Sequence, residues 1–111
     1  MVENLIIFQK VYDLILYAYP IINKFPKSQR FVLGQQIENY LLEVIVALIK
    51  VNQTKDKTES LKQVSANLDV VRFLIWLSKD LHFISVKHYC VFAEKINEVG
   101  KMLSGLMVRF S

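Results

Sequence analysis

The sequence predicts an all-α protein, an antiparallel up-down-up-down four-helix bundle in one domain over residues 1–111. Three observations carry that reading. Four stretches keep apolar residues at three-four spacing over many turns. None of them sustains the alternation of a strand. The composition is 53% hydrophobic with only 3 Gly and 2 Pro, too apolar for a disordered chain and too poor in turn residues for a β fold.

The first stretch places Phe8, Val11, Ile15, Ala18, Ile22 and Phe25 on one face. Pro20 lies inside it with no N–H for the Leu16 carbonyl, so a bend is expected there, and Pro26 closes the helix. Ser28 follows at once and reads as the cap of the second helix. That helix carries Leu33, Ile37, Leu41, Val44, Leu48 and Val51. A polar run at 52–57 separates it from the third, where Asp56 and Glu59 have capping-box spacing with Asp replacing the usual Ser or Thr. The third stripe is Leu61, Val64, Leu68, Val71 and Ile75. The stretch 79–85 ends it, and Ser85 is the cap for a fourth stripe of Tyr89, Phe92, Ile96, Val99, Leu103, Leu106 and Phe110. Connections this short favour antiparallel neighbours.

A chain of 111 residues buries roughly 65% of its unfolded surface without metals or disulfides. The apolar residues exceed what that core requires. Leu5, Tyr12, Leu16 and Tyr19 form a second line on the first helix, Phe73, Trp76 and Leu77 widen the third, and Met102, Met107 and Val108 widen the fourth. A bundle core takes about a 100° arc per helix. With a mean hydropathy of +0.30 in so small a protein, a homo-oligomer is expected. No window reads as a membrane span: the greasiest run, Leu41 to Val51, contains Glu43 and Lys50 and falls short of the roughly 20 residues needed. The start lacks a positive leader region, and the single cysteine, Cys90, fits a reducing compartment, so a cytoplasmic location is expected.

Catalytic patterns are missing. His82 and His88 are the only histidines, and no Glu-x-x-His pair exists to build a di-metal site. There is neither a phosphate-cradling nor a dinucleotide-binding glycine loop. Cys90 lies between Tyr89 and Val91 on an apolar helix, and Asp80 and His82, two apart, face away from each other. The expectation is a protein that is not an enzyme and needs no cofactor or metal.

The basic residues are better candidates. The formal charge is +4 and the isoelectric point about 9.2. Lys24, Lys27 and Arg30 crowd the first turn. In an antiparallel bundle Arg72 and Lys79 approach the same end, where Lys87 and His88 open the last helix. Lys95, Lys101 and Arg109 run further along it. Lys24, Lys27, Arg30, Arg72, Lys79, Lys87 and Lys101 are therefore the candidate nucleic-acid contacts, forming a phosphate-binding surface that weakens with salt. The competing reading is a solvated face partly balanced by Glu94 and Glu98. Tyr17, Tyr19 and Tyr40 do not make a convincing base-stacking series.

The run 25–38, opening Phe25-Pro26-Lys27-Ser28-Gln29-Arg30, resembles the signature of the accessory variability (Avd) family of diversity-generating retroelements. Residues 7–14, 77–89 and 98–106 resemble that family's first helix, its third-to-fourth junction and its C-terminal helix. The broader family also includes ribosomal RNA intervening-sequence proteins. Ser104-Gly105-Leu106 stands where the family often has a Gly-Gly-Trp-like run. The resemblance implies a non-catalytic, pentameric, basic barrel of four-helix bundles. Such a barrel would associate with the retroelement reverse transcriptase and with template RNA and cDNA, supporting error-prone cDNA synthesis. The family's Lys-Ser-Gln-Arg positions fall on Lys27, Ser28, Gln29 and Arg30, with Lys27 and Arg30 as phosphate contacts. Two other classes suit the residues: a structural helical module joined to an acidic protein, and a ribosome-associated relative of the intervening-sequence proteins.

Overall fold

The computed structural model describes residues 2–110, with side chains from Leu5 onward. Its elements are α1 (Val2–Ile22), a single turn α2 (Lys27–Arg30), α3 (Leu33–Val51), α4 (Lys57–Asp80) and α5 (Val86–Phe110). The four long helices stand in a square in chain order: α1 packs on α3, α3 on α4, α4 on α5, and α5 closes back on α1. Neighbours are antiparallel throughout, as the short connections require. The rod measures 42 × 23 × 19 Å.

The core is the sum of four stripes. Those of α3 and α4 are buried at every position read from spacing. On α5 the buried line runs from Phe92 to Leu106, while Tyr89 and Phe110 flank it half-buried. On α1 the buried line is Ile7, Val11, Leu14, Ala18, Ile21, Ile22 and Phe25, and Phe8 and Ile15 are only half-buried. The cause is that α1 is apolar on two adjoining stripes, so periodicity alone admits a line displaced toward α3.

The connections are built differently at the two ends. Asp56 accepts the Glu59 backbone N–H at 3.1 Å, and Ser85 Oγ accepts that of His88 at 3.0 Å, so both caps form as read. Ser28 caps nothing. It lies inside α2, whose N-cap is Pro26, and α3 starts after Val32 with no side-chain cap. The Pro26 carbonyl instead accepts from both Gln29 and Arg30, winding the chain into one extra turn before α3. Gly34 then lets that start come close, because a Cβ there would stand 2.8 Å from Ile22 Cγ2. Helix α1 continues through exposed Pro20 to its end two residues later.

By length and composition alone, Leu5–Ile22 and Lys27–Val51 are apolar enough to cross a membrane, which corrects the sequence reading. Only 33% and 28% of those windows is buried in the bundle. The sequence reading centred on 41–51 and left out the outer stripe of α1.

Helix α4 ends in a Schellman arrangement. His82 N–H donates to the Lys79 carbonyl and Phe83 N–H to the Ser78 carbonyl, both at 2.9 Å. This forces His82 to φ 65°, a region costly to any residue with a Cβ. Replacing His82 with Gly should stabilise the fold by about 0.5–1 kcal/mol, read as a raised urea midpoint at unchanged slope. Replacing it with Val should do the opposite.

Candidate nucleic-acid interface

The end of the bundle bearing the first turn also carries the end of α4 and the start of α5, because Phe25 and Phe83 pack their rings 5.7 Å apart. Five candidate cations therefore share this end. Lys24 and Lys27 are exposed in the turn, Arg30 closes α2 half-buried, Lys79 lies in the last turn of α4, and Lys87 is exposed in the first turn of α5. Lys79 is held twice, 3.2 Å from Asp80 and with its ammonium 4.7 Å from the centre of the Tyr89 ring. One acidic side chain thus offsets part of the charge at this tip.

Arg72 and Lys101 are placed elsewhere, which corrects the sequence reading of Arg72. It lies eight residues before the end of α4, about 12 Å down the helix. There its guanidinium rests on α5, with Nη2 3.3 Å from where a Cβ on Gly100 would be. Arg72 and Lys101 line one groove between α4 and α5, of about 510 Å³, together with Ser65, Asp69, Asn97 and Ser104. The usable sequence signal was a glycine at 100 in the middle of a strongly patterned helix. Lys95 and Lys10 are engaged on the neighbouring face: Lys95 lies 5.4 Å from the Tyr17 ring centre, and Lys10 pairs with Glu98 at 2.7 Å.

Arg30 and Arg72 share an uncommon property. In each, Nε is buried and has no hydrogen-bond partner. A guanidinium has five donors and no acceptor, so leaving one shielded from water and unpaired lowers stability. These arginines are not held in place by polar contacts that the fold needs.

A third surface is apolar. Leu5, Tyr12 and Leu16 of α1 and Leu42 and Ile49 of α3 are exposed. Leu5 and Phe8 meet Leu48 and Ile49 in one groove of about 390 Å³, so the two stripes form a single face. Toward the basic end it includes Tyr19 and Glu38. Burial holds the Glu38 carboxyl above the usual carboxylate range, and burial together with the Glu38 charge raises the Tyr19 phenol. Round the square, this face lies opposite the α4–α5 groove.

Because no hydrogen bond is lost, Arg30→Met and Arg72→Met should each leave the unfolding free energy within about 0.5 kcal/mol of the parent, measured by chemical denaturation.

Comparison with curated proteins finds no match to this sequence. The bAvd-like family model matches residues 5–110, a span that contains every helix core and all seven candidate cations. With that match across the four-helix architecture, the chain belongs to the bAvd-like family, a family of non-catalytic accessory proteins of diversity-generating retroelements.

Proposed function

We propose that this protein is an oligomeric adaptor that joins a retroelement reverse transcriptase to template RNA and its cDNA and supports mutagenic copying without catalysing it. Family membership supports the polymerase partnership. The single observation that carries the nucleic-acid side is the gathering of Lys24, Lys27, Arg30, Lys79 and Lys87 at one end of the rod. Cations presented together release counterions from a polyanion together, so affinity falls steeply with added salt. Lys27 and Arg30 are the central contacts. In this reading Lys101 and Arg72 extend the surface along the α4–α5 side.

Self-association uses the apolar face of α1 and α3. On the α1 side its stripe is Leu5, Tyr12 and Leu16, while Lys10 is turned toward α5, where it pairs with Glu98. A patch of this extent is uncommon on a monomer. The family resemblance suggests a pentamer, and the adaptor is expected to act in the cytoplasm.

The binding test is a salt series with labelled RNA. Lys27→Glu with Arg30→Glu should reduce binding at least tenfold and flatten the salt dependence by about two contacts while the circular dichroism spectrum is kept. Unchanged binding would sink the reading. For assembly, Tyr12→Glu with Leu42→Glu should convert the oligomer to single chains in multi-angle light scattering. A mass equal to the parent's would remove this face from the interface.

A further inference from the structure

The side of α4 that faces α5 carries Arg72, Trp76 and Lys79 at spacings of four and three, so the three side chains follow one another along one edge. Both outer members reach α5: Arg72 Nη2 comes close to Gly100, and Lys79 lies over the Tyr89 ring. Trp76 stands between two cations, 51% exposed. Its ring meets Phe73 edge-on, with centroids 6.4 Å apart at 84°, while about half of the residue stays open to solvent.

Beside it, the groove holds the parts of an anion seat. Among the described residues the Arg72 side chain has no hydrogen bond or ion pair; its Nε is buried, so the Nη groups are the donors a ligand could reach. Gly100, lacking a Cβ, leaves room for the Arg72 guanidinium beside α5, and Lys101, Asn97 and Ser104 add donors from α5. Asp69 is the one carboxylate in the groove, and it leaves a net charge of +1 with Arg72 and Lys101.

We infer that the α4–α5 edge is a track for single-stranded nucleic acid, with a backbone phosphodiester in the Arg72–Lys101 seat and the adjoining base stacked on Trp76. This rests on the nucleic-acid reading above and specifies its form. A guanidinium fork matches a phosphate in two parallel hydrogen bonds. Every base has a π-face, and an exposed indole beside a cation is the pairing that single-strand binders use. Duplex is disfavoured because its bases are already stacked. The polar groove is also a poor seat for an apolar partner, which the α1–α3 face suits better.

The chain has one tryptophan, so Trp76 reports on itself. Short oligouridylate and oligothymidylate, added to the wild-type protein, should quench its emission, whereas duplex of the same length should not. The two single-stranded arms separate RNA from DNA as the preferred strand. Arg72→Ala should weaken binding about tenfold and lower the salt slope by about one. Trp76→Leu should weaken it by a similar factor with the slope unchanged. Asp69→Asn should tighten it. An end-labelled strand followed by anisotropy keeps the two readings apart. If the strand binds while Trp76 emission and the Arg72→Ala affinity stay as in wild type, the track is wrong and the basic tip stands. If the strand does not bind at low salt, both fall. The quenching arm needs no variant, so a poorly folding substitution does not decide the matter.

Discussion

The contact between buried Phe25 and half-buried Phe83 is the joint on which the rest of the molecule depends. Each ring belongs to a connection, Phe25 between α1 and α2 and Phe83 between α4 and α5. Packing them together aligns the end of α1, the extra turn α2, the end of α4 and the start of α5 at one level. Four-helix bundles with short links have this topology in any case. What the aromatic pair adds is closeness at the tip, and closeness is what turns separate lysines and arginines into one electrostatic surface. Repulsion among them is tolerated because it acts across water and salt, where a few ångströms cost little. Burial of the Phe25 ring and part of the Phe83 ring contributes more.

How far the sequence could be read depended on how unambiguous each stripe was. Helices α3 and α4 bury every stripe position that spacing identified, although each also carries exposed apolar residues beside its line, such as Leu42 and Ile49 on α3 and Phe73 and Trp76 on α4. Helix α1 is apolar round much of its circumference, and the line taken as core was displaced by one residue at Phe8 and Ile15. The caps at Asp56 and Ser85 were legible because each side chain precedes a long helix directly. Ser28 had the right chemistry in the wrong place. The backbone used the Pro26 carbonyl to make a turn, and no local signal distinguishes a serine before a helix from one inside a single turn.

The candidate site divides along the same line. Residues near a chain break could be assigned to an end from topology alone, which is why Lys24, Lys27, Arg30, Lys79 and Lys87 fall together. Arg72 is in the body of a helix, and its level depends on how α4 and α5 slide past one another. Only the structure supplies that register, through Gly100. The Arg72–Trp76 spacing was visible in the sequence, but its meaning depends on knowing which side of α4 stays open.

The placement of the two outer faces has a further consequence. The apolar α1–α3 face and the polar α4–α5 groove are on opposite sides of the square. Copies joined through the first need not cover the second.

The exposed indole of Trp76 and the forked N–H donors of Arg72 share a blindness. Neither presents a pattern that fits adenine better than uracil. A handrail of this kind would steady whatever message is threaded along it and leave the choice of letters, including the wrong ones, to the machine that does the writing.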